Sequence, residues 1–169
     1  MTSRSSHDEK LVKILFHPND DHYTTTETLW AEPLGDDTYR LRNTPFYFYG
    51  ASSADIVHAA PGSDGLLEFQ EVVERGGSST YRILVRDAVE PTRFEKFWQP
   101  LGEAGCSLER AAARFYAVDV PSGTNVDQVV ALLAKGEENG VWAWEEGYRH
   151  QDEKLSLARS RRRESGGSP

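Results

Sequence analysis

The sequence predicts an α+β protein in which an N-terminal β-meander or half-barrel is followed by a ferredoxin-like β-α-β(β)-α-β unit. Three observations predict it. Apolar residues between Lys10 and about Arg86 alternate with period two, and Gly, Asp and Pro punctuate them. Beyond Arg86 the period switches twice to that of a helix and twice back. Those later segments run strand, helix, strand, helix, strand. The expected organisation is a disordered N-terminus at 1–9, a β-rich subdomain at 10–86, a ferredoxin-like subdomain at 87–150 and a flexible basic tail at 151–169. The tail ends in RSRRRESGGSP, too polar to offset its own ordering entropy by burial.

The first strand is LVKILF, where Val12, Ile14 and Phe16 alternate with Leu11, Lys13 and Leu15 until HPNDD stops it. TTETLWAEPL and TYRLRN flank Gly35, Asp36 and Asp37, the composition of a hairpin turn. TPFYFYG reads as extended, with Tyr47 and Tyr49 opposite Phe46 and Phe48. LLEFQEVVE follows PGSDG and stops at Arg75, Gly76 and Gly77; STYRILVR then places Tyr81, Ile83 and Val85 on one face. Pro91 suits a first helical turn, Phe94, Phe97, Trp98 and Leu101 form a helical stripe, and Gly102 or Gly105 ends it. RFYAVDVP returns to a strand, with SLERAAARFY as a short hairpin leading into it. Thr124 and Asp127 have capping-box spacing before a second stripe of Val126, Val129, Val130 and Leu133, which should stop before Gly136. VWAWEEGY closes the chain's order with Trp142 and Trp144 on one strand face.

With 38% hydrophobic and 11% aromatic residues in 169, the chain can bury a core. Its net charge of −8 has the wrong sign for neutralising phosphates, so general nucleic-acid binding is not expected. A single cysteine, Cys106, excludes an intramolecular disulfide. MTSRSSHDEK lacks the apolar core of a signal peptide, and no apolar run approaches the roughly 20 residues of a membrane helix. A cytoplasmic protein without membrane attachment is the expectation.

Catalysis needs a nucleophile with a base, a carboxylate pair with separated pKa values or an open metal site. Cys106 has no neighbouring His and reads as a small buried thiol. HPNDDH (His17 to His22) matches no standard ligand spacing and reads as a turn; no metal or cofactor is expected. His58 reads as a hydrogen-bonded strand-end residue. The Gly76 to Thr80 segment lacks the lysine and helix of a phosphate loop and reads as a hairpin turn. Glu145 and Glu146 point to opposite faces of one strand, cannot serve a common substrate and read as a solvated edge. The aromatics remain. Tyr47 and Tyr49, with Trp142 and Trp144, exceed what one face of a small sheet needs, and a sheet presenting such rings outward makes a stacking or protein-binding surface.

In combination, Glu27, Leu29-Trp30-Ala31-Glu32, Tyr39-Arg40-Leu41, Asn43, Pro45-Phe46 and Asp55 with Val57 resemble the signature of the bacterial DUF4265 family. Gly77, Ser79-Thr80, Arg82, Glu109, Ala117 to Pro121 and Trp142 extend the likeness over about 10–148. The family is a domain of unknown function, so the resemblance implies no catalytic role. It singles out Trp30, Glu32, Asn43, Pro45, Phe46 and Asp55. Glu32 and Asp55 are carboxylates among rings and need partners, for which Arg40, Arg42 and Arg82 are candidates.

The expected binding residues are therefore Trp30, Glu32, Asn43, Tyr47, Asp55, Arg82, Trp142 and Trp144. The leading functional expectation is a non-enzymatic module binding an unidentified protein partner, in the manner of an immunity or antitoxin factor, because an acidic surface steers a basic partner. Two alternatives stand beside it: a small-molecule or single-stranded nucleic-acid binder using its aromatic faces, and an enzyme using Glu32 and Asp55 in one cleft. No oligomeric state is implied.

Overall fold

The computed structural model describes residues 10–151. The expected disorder of 1–9 and the tail from residue 152 onward lie outside the described residues. The fold is α+β, in two layers.

The first layer comprises β1 (Val12–Phe16), β2 (Glu27–Gly35), β3 (Thr38–Leu41), β4 (Ile56–Pro61) and β5 (Leu67–Glu74). They pair in sequence order, and β5 returns to β1 in parallel, aligning Ile14 with Leu67 and Leu15 with Glu68. The expected half-open barrel is thus closed, which removes both edges that a meander would expose. Alternation does what the sequence requires: Ile14, Phe16, Leu29, Ala31, Leu41, Val57 and Ala59 point inward. Asp36 and Asp37, both at positive φ, make the two-residue turn between β2 and β3.

TPFYFYG is not a strand. The backbone N–H groups of Phe46, Tyr47 and Phe48 all donate to the carboxylate of Glu27, at 2.8, 2.9 and 2.7 Å, so a side chain takes the donors that a sheet ladder would use. The loop instead inserts Phe48 into the barrel, with its ring 5.1 Å from Phe16 and 4.9 Å from Phe69.

The second layer is β6 (Ser79–Val85), α1 (Pro91–Glu103), β7 (Ser107–Ala112), β8 (Phe115–Val120), α2 (Val126–Glu138) and β9 (Trp142–Tyr148). Its strands form one antiparallel sheet in the order β7-β8-β6-β9. Tyr81, Ile83, Val118, Val120 and Trp142 pack on the helices through Leu101, Val129 and Leu133. Two details differ from expectation. Asn125, rather than Thr124, caps α2 by accepting from the Gln128 N–H, and the helix runs through Gly136. A Cβ at Gly136 would come within 2.2 Å of the Trp142 ring, so glycine is required there by close packing rather than by helix termination.

Candidate functional site

β6 alternates between two environments. Tyr81 and Ile83 enter the helix-covered core, so Arg82 and Leu84 must face the other way. The antiparallel register then lays two rows across this second face: Glu109, Ala117, Arg82 and Glu145, and beside them Ala112, Phe115, Leu84 and Ala143. The β1–β2 loop brings Tyr23, and the β3–β4 loop brings Tyr47 and Tyr49, over these rows. Tyr23, Tyr47, Arg82, Leu84, Phe115, Ala143, Trp144 and Glu145 line a cavity of about 390 Å³ that opens to solvent.

The polar end of the cavity is a connected network. Arg82 is fully buried; its Nη1 donates to Glu145 Oε1 at 3.1 Å, and its Nη2 donates to the carbonyl of Phe48. Tyr23 donates its hydroxyl to Glu145 Oε1 at 2.8 Å, and Tyr49 donates to Oε2 at 3.0 Å. The guanidinium also lies 4.4 Å from the centre of the Tyr49 ring. A buried cation is tolerated only when it is paired and hydrogen-bonded in this way. Burial first, and then the hydrogen bond to Glu145, push the Tyr49 hydroxyl up to about 12 and raise that of Tyr23 as well. Both phenols therefore stay protonated donors across the physiological range. Gly147 leaves the room: a Cβ there would meet the Arg82 guanidinium at 3.2 Å.

The loop that supplies Tyr47 and Tyr49 is stitched to the sheet along its length. Thr44 N–H donates to Glu109 at 3.0 Å, Gly50 N–H donates to the Gly147 carbonyl at 3.0 Å, and the Ser52 and Thr80 hydroxyls meet at 2.8 Å. The rings above the cavity form a continuous wall, with centroids 5.3 Å apart for Tyr23 and Tyr47 and 5.8 Å apart for Tyr47 and Phe115.

Of the residues singled out in the sequence, Tyr47 and Arg82 meet at this cavity, and Trp144 borders it from β9 while its ring packs near Tyr81 against the helix-covered core. The others do not. Trp142 is fully buried beneath the helices, with its Nε1 donating to the Leu133 carbonyl at 2.9 Å, so it offers no stacking surface; its strand face is the covered one. Trp30 is 45% exposed on the barrel, with Lys13 over its ring, and Asn43 accepts from the Trp30 N–H at 2.8 Å. Glu32 lies on the outer barrel surface between Arg40 and Arg42, each at 3.4 Å. Asp55 is fully buried and accepts from Ser52 N–H, Gly76 N–H and Arg75 Nη1, which joins the β3–β4 loop to the segment entering β6. Glu32 and Asp55 line neither this cavity nor the one at Pro18 to Thr24.

Glu145 overturns its reading as a solvated edge: it is the acceptor on which the whole network converges. The sequence carried a signal for it, because it alternates against Trp142 and Trp144 and so shares a phase opposite to theirs. Tyr23 carried none, lying in a polar loop. Asp20 pairs with His22 in that loop, and among the described residues no three His, Cys, Asp or Glu side chains gather as metal ligands. Burial, and then the charge of Asp119, push the Cys106 thiol up to about 11. No helix among the described residues is long and apolar enough to cross a membrane.

No curated protein matches the chain. A crystal structure of a hypothetical protein from Neisseria gonorrhoeae is similar in fold, with a TM-score of 0.73 at 16% identity over 86% of this chain and 100% of that one. The family model for DUF4265, a domain of unknown function, matches residues 27–144, and the chain belongs to that family.

Proposed function

We propose that this protein is a non-enzymatic binding module, and that its ligand is a small molecule with an aromatic group held in the cavity between the loop tyrosines and the second face of the sheet. The single observation that carries this reading is the cavity itself: a pre-formed space of about 390 Å³, walled by Tyr23, Tyr47 and Phe115, with one convergent polar network at its end. That combination is the usual composition of a ligand site. The network is suited to holding rather than reacting. Its phenols resist deprotonation, and its guanidinium is already committed to Glu145 and Phe48. The helical layer, read as a ferredoxin-like unit, would serve as the rigid support, a reading favoured by its strand order β7-β8-β6-β9. A cytoplasmic location remains our reading of its sequence.

Chemical-shift mapping of amide resonances with small aromatic probes tests the proposal. Shifts should concentrate at Leu84, Phe115, Ala143 and Tyr47; if they map elsewhere or are absent, the cavity is not the binding site.

A second reading, a protein partner engaged by the barrel, is favoured by exposed Trp30 and Leu34 on β2. Under it, Trp30→Ala would abolish capture of a specific partner from lysate while Tyr47→Ala would not. Equal capture by wild type and Trp30→Ala would remove this reading.

A further inference from the structure

The chemistry of the occupant follows from which hydrogen-bonding positions the cavity leaves open, and the argument rests on the cavity being the binding site as proposed above. A carboxylate has about four acceptor positions. On Glu145, Oε1 takes Tyr23 and Arg82, and Oε2 takes Tyr49, which leaves one position on Oε2 in a side chain that is 35% exposed. Arg82 uses one N–H of Nη1 and one of Nη2, and the rest of its donors are buried with the side chain, which is fully inaccessible. Its Nε and the Trp144 Nε1 have no partner, but both are sheltered from solvent, so a ligand does not reach them without displacing the sheet. Within the network the vacancy is therefore for a donor.

Whether that donor is charged is decided by Arg82. Coulomb energy falls as 1/r, so a cation about 4 Å from the Glu145 carboxylate and about 6 Å from the Arg82 guanidinium loses roughly two-thirds of its attraction to repulsion. It would also lose hydration against the rings and against Leu84 and Ala143. The charge of Asp20 reaches Tyr49 and Arg82, but Asp20 is itself hydrogen-bonded to the His22 backbone and ring, which take up much of it. A carboxylate or phosphate fares worse, since it meets Glu145 without an uncommitted cation. A flat neutral ring avoids each of these costs and stacks on Tyr47 and Phe115, whose rings lie 26° from parallel.

We propose that the cavity takes a neutral, planar aromatic group bearing a single hydrogen-bond donor, of the indole class, with its N–H on Glu145 Oε2 and its ring against Tyr47 and Phe115. Indole is a donor without a competing acceptor, matching the open position in kind.

The test is a set of isosteres, titrated against the intact chain by amide chemical shifts: indole, 1-methylindole, tryptamine, indole-3-acetate and N-acetyltryptophanamide. Indole should shift Leu84 and Ala143, 1-methylindole should bind about tenfold more weakly, tryptamine no more tightly than indole, and indole-3-acetate most weakly. Phe115→Ala, with its unperturbed resonances confirming the fold, should weaken indole about tenfold. Binding of N-acetyltryptophanamide as tight as indole would assign the same chemistry to a tryptophan side chain instead of a free molecule, overturning the small-molecule source. If 1-methylindole equals indole, or tryptamine exceeds it tenfold, the donor or the neutral assignment is overturned while the cavity stands. If no probe shifts cavity residues, both this inference and the proposed site fail.

Discussion

The two faces of the four-stranded sheet are made by the same strands and hold together in different ways. Under the helices, Tyr81, Ile83, Val118 and Trp142 form an apolar face in which removal of water from side chains supplies the stability. On the other face, Arg82, Glu109 and Glu145 are held by hydrogen bonds to one another and to loops of the barrel. The lesson is one of tolerance: an apolar face loses stability in proportion to the volume removed, whereas a polar face loses it whenever one partner is left unpaired.

The largest effect should come from breaking the covered face. Trp142→Ala removes a fully buried indole and should cost about 3–5 kcal/mol, read from the denaturant midpoint. On the polar face, Arg82→Met leaves Glu145 without its cation and should cost about 3 kcal/mol. Adding Glu145→Gln should recover part of that loss; a double variant as unstable as the sum of the singles would show that the two side chains do not act as a pair.

Asp119 sharpens the contrast through pH. Burial, and then the charge of Glu109, push its carboxyl above the usual carboxylate range, up to about 6. A folded-state value above the unfolded one means that the folded chain holds the proton more tightly, so stability should fall as pH rises through about 4 to 6. The change should be about 2 kcal/mol after allowing for water near the group. Asp119→Asn should flatten that part of the stability profile, and an unchanged profile would remove the explanation. The smallest effect is that of Tyr49→Phe, which deletes one donor to Glu145 and should lower stability by about 1 kcal/mol in thermal unfolding.

Much of the fold was legible because its cause is local. Period-two runs became β1, β2, β5, β6 and β9, the Phe94 to Leu101 stripe became α1, and Asp36 and Asp37 formed their turn. TPFYFYG misled because its alternation is that of a strand, while its backbone donors are taken by Glu27, nineteen to twenty-one residues earlier in the chain. Gly136 misled for the same reason: a glycine reads as a helix stop until the ring of Trp142 is seen to fill its space. At the site, Tyr47, Tyr49, Arg82 and Trp144 were named from the sequence, whereas Glu145 was read as a solvated edge and Tyr23 was not named.

By itself, the sequence determined the alternation that divides β6 and β9 between two faces, the two helices and the acidic balance of the chain, since each depends on neighbouring residues or on composition alone. Only the tertiary structure decided that the barrel closes and that its loops arch over the second sheet. The same holds for Arg82 choosing Glu145, sixty-three residues away, over every nearer carboxylate. That choice follows from strand order, which brings β6 beside β9, and from burial, which obliges a cation there to find whichever anion the register provides.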